Sequence, residues 1–340
     1  MKRRVLQRGF ALVIVLWVLA GLTVVAVAVA SSLRTSAESV KLLRDRLRAE
    51  AAFLSTSSRV RVILATAGTG RNSFDSARGQ VLADGRPLLV ADGQEWVRVQ
   101  DLRGLVFLNR PVESRLTGLA LACGAAQSST AALVDSLLDY VDSDNLKRLN
   151  GAEAFDYASS ALPPPRNAPL LSRDEIWRVK FWPEIRSQWL ARQCMDEITV
   201  FGDGLFNRNT ATARVLQADG MDEVAARSLI NARQNGLSDV TMQTIAGAET
   251  SSPFSLAGGG RVGPAVRLMH GARWVEWALQ TELELTPNRD GGPWRLHEVR
   301  TAPARPPEPG SAFSLPAVNS WNPERETELN HAASDLPFGK

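Results

Sequence analysis

The sequence has few of the side chains that usually carry enzymatic chemistry. Its 340 residues include only three histidines, at 270, 297 and 331, and these lie apart from one another. It has no nucleophile elbow, P-loop or zinc-binding motif. Its two cysteines form neither a CxxC motif nor a Cys/His pattern, which excludes the common sequence signatures of metal and redox centres. We therefore expect a protein that is not an enzyme and has no catalytic residues.

The sequence also lacks an excess of positive charge beyond its first residues. The formal net charge is +3, and Lys2, Arg3, Arg4 and Arg8 supply four positive charges, so a chain that begins at Phe10 carries −1. Domains that bind nucleic acids usually present a basic face. The composition therefore argues against a nucleic-acid partner.

What the sequence does have is one long apolar run behind a basic start. From Phe10 to Ala30, the only polar residue among 21 is Thr23. As a helix, this run is about 32 Å long, enough to cross a hydrocarbon core of about 30 Å. A cleavable secretory signal also has a basic start, and Ala28-Val29-Ala30 resembles its cleavage site, but its apolar region spans only about 7–15 residues. The length favours a retained transmembrane helix.

The helical pattern continues beyond the membrane-length run. Apolar residues recur at spacings of three and four at Val40, Leu43, Leu47, Ala51 and Leu54. The pattern predicts one helix over residues 10–66, transmembrane to about residue 30. Because basic residues precede it, we expect a cytoplasmic N-terminus and the bulk of the chain on the other side of the membrane.

The junction Arg8-Gly9-Phe10 resembles the class III signal of type IV pilins and pseudopilins. The resemblance implies that residues 1–9 are a leader, that a prepilin peptidase cuts between Gly9 and Phe10, and that Phe10 is then N-methylated. The helix would remain as a membrane anchor and assembly spine. A plain single-pass membrane anchor is the alternative that this motif leaves open.

The rest of the chain changes its pattern three times. Residues 67–113 and 255–300 show strand-like alternation, with a turn signal at Asp92-Gly93. Residues 114–250 are mainly helical in pattern. Residues 301–340 hold seven of the 18 prolines, which predicts a disordered tail. The order predicts an α+β fold, in which a small antiparallel sheet carries a large inserted helical domain.

This layout resembles minor pseudopilin K of the type II secretion system, the general secretion pathway protein K family. The phrases that carry the resemblance are "LVDSLLDYVDSDN", "GAEAFDY", "NAPLLSRDEIWRVKFW" and "ITVFGDGLFNRNTATARVLQADG". The resemblance implies a pilin-like fold and a subunit that begins and caps a periplasmic fibre during export of folded proteins across the outer membrane. A minor pilin of a type IV pilus is an alternative.

The resemblance also implies partners and assembly residues. Expected partners are the other minor pseudopilins and the major pseudopilin, through the N-terminal helix, as well as the prepilin peptidase, the bacterial inner membrane and secreted proteins. Most pilins place a glutamate at the fifth mature position, where this chain has Ile14. An apolar residue there is expected for the K subunit. Trp17 lies within the apolar run, where it would pack against a neighbouring helix or face lipid.

Two side-chain sets remain as candidate sites. Cys123 and Cys194 lie in the part expected outside the cytoplasm, where disulfides persist. A bond would close a loop of about 70 residues and stabilise the fold by roughly 4 kcal/mol, and two buried free thiols are the alternative. Calcium is the expected cofactor, because pseudopilins of this system bind it. The candidate ligands are Asp139, Asp142, Asp144, Asn145 and Glu153.

The acidic segment does not form an EF-hand. Asp142, Asp144 and Glu153 match positions 1, 3 and 12 of that loop, but Leu146 and Lys147 occupy positions that need an oxygen ligand and a glycine. The alternative to a calcium site is a set of solvated caps between helices.

A second function class comes from residues 207–235, which resemble a helix-hairpin-helix module. Such a module would make the protein a membrane-anchored receptor for DNA, since backbone amides of its hairpin bind a phosphate. Here Asp222 and Glu223 lie at the hairpin, where they would repel a phosphate. Structural packing is therefore the favoured interpretation, and nucleic acid is an unlikely partner.

Overall fold

A computed structural model of the protein describes residues 10–76, 79–90, 93–158, 160–234, 260–286, 292–307 and 313–314. The chain divides into two compact units, Met1–Ala52 and Phe53–Lys340. The turn residue Asp92, much of the predicted tail and the end of the predicted helical insertion lie outside the described residues.

One helix, α1, runs from Phe10 to Thr66. No proline interrupts it, and its apolar first half suits a helix that forms its backbone hydrogen bonds internally. It contains a segment long and apolar enough to cross a membrane, with a mean hydropathy of 2.9. Within the first unit, its large apolar side chains from Leu12 to Leu47 are exposed.

Six short strands in the described residues follow α1. They are β1 Gly68–Thr69, β2 Ser73–Ser76, β3 Gly79–Leu82, β4 Asp84–Val90, β5 Glu95–Asp101 and β6 Val106–Phe107. The first three form a small antiparallel sheet of their own. Strands β4 and β5 form an antiparallel pair, as the alternation in the sequence predicts.

The chain then leaves the sheet and forms a helical insertion. Its elements are α2 Glu113–Ala122, α3 Gln127–Val141, α4 Ala154–Tyr157, α5 Arg186–Ala191, β7 Ile198–Thr199, α6 Ala213–Ala218 and α7 Glu223–Gln234. Three-residue-per-turn helices at Arg173–Arg178, Trp182–Ile185 and Cys194–Glu197 connect them. A separate apolar core fills the insertion, and the rings of Trp182 and Trp189 meet edge to face within it.

The chain returns to the sheet with β8 Ala265–Ala272, β9 Trp277–Leu285, β10 Trp294–Pro303 and β11 Phe313–Ser314. The order of the six-stranded sheet is β10-β9-β8-β5-β4-β11, antiparallel except for the parallel contact of β11 with β4. Strand β8 is buried along nearly its whole length, which indicates that both faces of the sheet are covered. The end of α1 covers part of one face through Val60, Ile63 and Leu64.

The α+β prediction is therefore confirmed: a long N-terminal helix, antiparallel sheets and further helices make up the described chain. The predicted tail differs at its start. Strand β10 continues to Pro303, past the predicted boundary at residue 301, and Phe313–Ser314 form a strand. The prolines of residues 301–340 led to a prediction of disorder in place of a strand. Pro303 ends β10, the outer strand of the sheet on that side, where a missing N–H costs little.

A buried ionic cluster joins the insertion to the sheet. Glu282 on β9 lies between Arg173 of the insertion, with Nε 3.3 Å from Oε1, and Arg267 of β8, with Nη2 2.7 Å from the same oxygen. The side chains of all three are at most 5% exposed. Burial alone would raise the pKa of Glu282, but Arg267 and Arg173 hold that pKa below its ordinary value. The carboxylate is therefore ionised at neutral pH.

The same cluster holds the backbone that follows the second cysteine. Arg173 Nη1 donates to Met195 O at 2.9 Å, and Arg267 donates to Asp196 O at 2.7 Å and to Ile198 O at 2.6 Å. Cys194 forms a disulfide with Cys123, and both residues are fully buried. Residues 194–198 are thus held by a covalent bond on one side and by two arginines on the other.

We predict that replacing both cysteines, Cys123→Ser with Cys194→Ser, lowers the unfolding free energy by about 4 kcal/mol, because the bond closes a long loop in the unfolded chain. The two residues are 71 positions apart. Denaturant unfolding of the full chain measures the change. Reductant should lower the stability of the parent protein and leave the double variant unchanged. Equal stability of the parent with and without reductant would contradict the prediction.

Candidate functional site

The acidic loop between α3 and α4 gathers three carboxylates. Asp142 follows the last residue of α3, and Glu153 precedes the first residue of α4, so the two helix ends set the positions of these side chains. One oxygen each from Asp142, Asp144 and Glu153 lies within 4.8 Å of the others. Hard oxygen ligands at this spacing suit a calcium ion, whose ligands lie at about 2.3–2.6 Å.

Several of these oxygens receive no hydrogen bond from a side chain. Among the described residues, no side chain donates to either carboxylate oxygen of Glu153 or to Oδ1 of Asp142, although all three atoms are buried, and the Glu153 carboxylate faces the first backbone amides of α4. Glu153 as a whole is only 6% exposed. Burial, and then the neighbouring carboxylates, raise the pKa values of Asp142 and Glu153. A group of buried, mutually repelling carboxylates is stabilised by either protons or a cation.

Asp139 belongs to the support of the loop rather than to the triad. Its carboxylate accepts the backbone N–H of Arg148 at 3.2 Å and lies 3.4 Å from the Arg148 guanidinium. Burial raises the pKa of Asp139. Gly151 packs directly on this carboxylate, because a Cβ at position 151 would collide with Oδ2. Asp139 therefore fixes the return of the loop.

Asn145 is also engaged in holding the loop. Its side-chain oxygen accepts a hydrogen bond from Asn167 Nδ2 at 2.9 Å, and the same nitrogen donates to Asp144 O at 2.6 Å. Of the five ligands predicted from the sequence, the structure brings together the carboxylates of three. Sequence reasoning missed Arg148, whose Nη2 lies 4.0 Å from Asp142 Oδ2 and lowers the negative charge of the site.

The predicted processing and assembly residues lie on or before α1. Gly9 is outside the described residues, and α1 begins at Phe10. Within the first unit, Ile14 and Trp17 are exposed, by 49% and 77%. Their side chains are therefore available to lipid or to a neighbouring helix.

The segment that resembles a helix-hairpin-helix module forms α6 and α7, joined by Gly220 with a left-handed φ of 94°. Its hairpin amides are used internally. Met221 N donates to Leu216 O at 3.1 Å, and Asp222 Oδ1 accepts the N–H of Ala225 at 2.9 Å. These contacts support the packing interpretation, since they occupy amides that a phosphate would need.

Nearby arginines are engaged as well. Asp219, after α6, accepts hydrogen bonds from Arg115 at 2.6 Å and from Arg208 at 2.6 Å. The carboxylate of Asp219 therefore offsets part of the positive charge of both guanidinium groups. This pairing weakens the electrostatic attraction that a DNA backbone would feel.

Comparisons with known proteins give one family match and a distant structural likeness. No curated protein matches the chain significantly. Among solved structures, a chain from the crystal structure of the GspK-GspI-GspJ complex of the type 2 secretion system of enterotoxigenic Escherichia coli is similar at 15% identity. The match covers 80% of this chain and 99% of that one, with a TM-score of 0.43. A likeness this distant carries no argument about function.

The sequence match to a protein family is more specific. Residues 97–192 match the family described as Type II secretion system (T2SS), protein K. They include the disulfide residue Cys123, the whole acidic loop and Arg173 of the buried ionic cluster. Through this segment, the chain resembles the type II secretion system protein K family.

Proposed function

We propose that this protein is a minor pseudopilin that begins and caps the tip of the periplasmic pseudopilus while the secretion system exports folded proteins across the outer membrane. The observation that carries the proposal is a family segment, residues 97–192, that follows a helix of membrane length in the same chain. A subunit anchored in this way can be extracted from the membrane and lifted with a growing fibre. In this role the protein acts as a structural component and performs no chemical reaction.

The anchor would cross the bacterial inner membrane once. The basic residues before Phe10 favour a cytoplasmic N-terminus, which leaves the sheet and the insertion in the periplasm. A disulfide between Cys123 and Cys194 suits that oxidising compartment. Prepilin peptidase would remove residues 1–9 and methylate the new N-terminus at Phe10.

The first unit supplies an assembly surface. Exposed apolar side chains continue along α1 beyond the membrane-length segment, at Leu33, Val40, Leu42, Leu43 and Leu47, and each is at least 61% exposed. Apolar side chains at this density are stabilised by burial against another helix. We assign this surface to the helices of other minor pseudopilins and of the major pseudopilin. The secreted proteins would meet the fibre at its tip.

Ile14 supports a terminal position. A glutamate at the fifth mature position can neutralise the N-terminal amine of an adjacent subunit, and this pairing gains strength in a low dielectric. This subunit can offer its own Phe10 amine to a neighbour's carboxylate, but Ile14 cannot return the contact. A subunit docking there would bury an unpaired amine, at a cost of several kcal/mol. The inserted domain adds steric obstruction to further stacking.

Calcium at the acidic loop would stabilise the inserted domain. A cation bound by Asp142, Asp144 and Glu153 removes the repulsion among three carboxylates that lie within 4.8 Å. It also gives the buried oxygens of Glu153 a cationic partner. The family resemblance and these buried oxygens both support calcium, and no reaction step depends on the ion.

For the anchor, we expect intact-mass analysis of the membrane-extracted protein to show a chain that starts at a methylated Phe10. The basis is the Arg8-Gly9-Phe10 junction directly before α1. A Gly9→Val variant should keep its leader, because the residue before the cut changes, whereas Ser31→Val should be processed normally. A mature chain that starts at Ser31 would replace the anchor with an ordinary secretory signal.

For the tip position, we expect labels attached to this subunit on isolated fibres to give one mark at one end. Because Ile14 leaves one junction without its charge pair, internal positions should be disfavoured. The measurement is electron microscopy of gold-labelled fibres, with the major pseudopilin labelled as a control that marks the whole shaft. Repeated marks of this subunit along the shaft would contradict the proposal.

For calcium, we expect saturating Ca²⁺ to raise the melting temperature of the full chain at pH 7 and chelator to lower it. The folded-state pKa values of Asp142 and Glu153 are raised, so protons stabilise the calcium-free protein as the pH falls through those values. The gain from calcium should therefore shrink as the pH falls through those raised pKa values.

The matched variants separate the site from general charge effects. Asp142→Asn with Glu153→Gln should melt higher than the parent without calcium, because the repulsion is removed, and should not respond to calcium. Glu184→Gln, at an exposed carboxylate in the same domain, should respond as the parent does. A calcium response that survives in the double variant, or no response in the parent, would remove the site.

A further inference from the structure

A cavity lies at the junction between the insertion and the six-stranded sheet. Its volume is about 250 Å³, and its walls come from β4, β5, β8 and β9, from Asp196, Glu197 and Thr212 of the insertion, and from Arg305 after β10. Most of the residues that line it carry a charge or a hydrogen-bonding group. Which of those groups already have partners indicates the class of ligand that the cavity can bind.

The acidic residues of the cavity are all paired. Asp84 Oδ2 lies 2.8 Å from Arg86 Nη2, and Asp196 Oδ2 lies 2.7 Å from Arg305 Nη1. Glu197 accepts a short hydrogen bond from Thr212 Oγ1 and lies 3.3 Å from Arg214 Nη1. These carboxylates therefore leave no strong demand for a cationic ligand.

One arginine of the cavity lacks such a partner. Arg267 is paired with Glu282 and Arg305 with Asp196, but no carboxylate in the described part of the chain lies within 4.0 Å of the Arg98 guanidinium. Arg98 instead donates to two backbone carbonyls, Gly85 O and Arg305 O, each at 3.2 Å. It is half-buried, stacks on the ring of Trp96, and retains donors that an acceptor could occupy.

The buried side-chain amide of Gln280 also has a donor without an acceptor. Gln280 is 1% exposed, and its Oε1 accepts hydrogen bonds from Arg300 Nε at 2.8 Å and from Arg173 Nη2 at 3.3 Å. This orientation is fixed, because a flipped amide would turn its NH₂ group towards two guanidinium groups. Its Nε2 finds no acceptor among the described residues, and the side chain lines the cavity.

We propose that this cavity binds a carboxylate, with Arg98 and Gln280 Nε2 as its two donors. The two donors together carry one positive charge, which suits a monoanionic carboxylate better than a doubly charged phosphate. The cavity volume of about 250 Å³ is enough for a carboxylate with a short substituent. Met269 supplies an apolar wall for that substituent. The carboxylate would belong either to a small molecule or to the C-terminus of a polypeptide.

Matched probes test the charge and the source of the ligand. The probes are N-acetylglycine, its neutral amide N-acetylglycinamide, triglycine with a free C-terminus, triglycine amide, and inorganic phosphate. Isothermal titration on the full chain in zwitterionic lipid nanodiscs measures binding. We expect N-acetylglycine to bind at least about tenfold more tightly than its amide, which is a difference of about 1.4 kcal/mol. A similar gain for free over amidated triglycine identifies a site that also accepts a chain terminus.

Two variants assign the binding to the cavity. Gln280→Glu keeps the acceptor oxygen for Arg173 and Arg300 and turns the unpartnered donor into an anionic oxygen, so it should abolish binding while the fold is kept. Arg98→Gln removes the unpaired cation and should weaken N-acetylglycine at least about tenfold. Gln217→Glu, an exposed position on α6, should bind as the parent does. Melting curves of every variant confirm folding.

The proposal is overturned by any of four results. They are no binding of either carboxylate by the parent, equal binding of acid and amide, tighter binding of phosphate than of carboxylate, and parent-like binding by folded Gln280→Glu. None of these results bears on the membrane anchor or on the calcium site, which depend on other residues.

Discussion

The ionised carboxylate of Glu282 is the contact on which the attachment of the inserted domain depends. It is buried between two arginines, one from the sheet and one from the insertion, and its removal would leave both guanidinium groups without this carboxylate in the interior. A buried ion pair adds little net stability compared with a well-packed apolar core. It does specify geometry, because both guanidinium groups also donate to backbone carbonyls of residues 195–198. The cluster therefore determines how the insertion is oriented on the sheet.

Residues 194–198 connect the Glu282 cluster to the rest of the insertion. The disulfide at Cys194 links the segment to the end of α2 through Cys123, within the core of the insertion. Glu197 in the same segment accepts the hydroxyl of Thr212, which also caps α6. In the cavity beside the segment, charged side chains from the insertion and the sheet meet, and Arg98 and Gln280 retain unused donors. Residues 194–198 and the candidate carboxylate site therefore lie at the same junction between the insertion and the sheet.

The features that the sequence predicts correctly are those that depend on neighbouring residues in the chain. The apolar run after Phe10 predicts α1, because helix length and hydropathy are local properties. Alternation around Trp96 predicts β5, and the quoted phrases between residues 133 and 220 indicate the family that the match at 97–192 bears out.

The features that the sequence does not predict depend on pairing over long separations. Arg173 and Glu282 are ordinary surface residues by composition, and only the packing of the insertion onto β9 brings them together. In the acidic loop, the spacing of five oxygen-bearing residues cannot show that Asp139 supports the loop through Arg148 while three other carboxylates converge. Gln280 becomes informative only when both of its arginine partners are placed.

The central claim is that the insertion and the sheet form one cooperative unit through the Glu282 cluster. Native-state hydrogen exchange on the full chain tests it most directly, by comparing the opening free energies of buried amides in α3 with those in β8 and β9. The account predicts the same opening free energy for both sets in the parent protein. It also predicts that Arg173→Met with Glu282→Leu lowers the value for α3 separately from the sheet. Helices that already open independently of the sheet in the parent would contradict it.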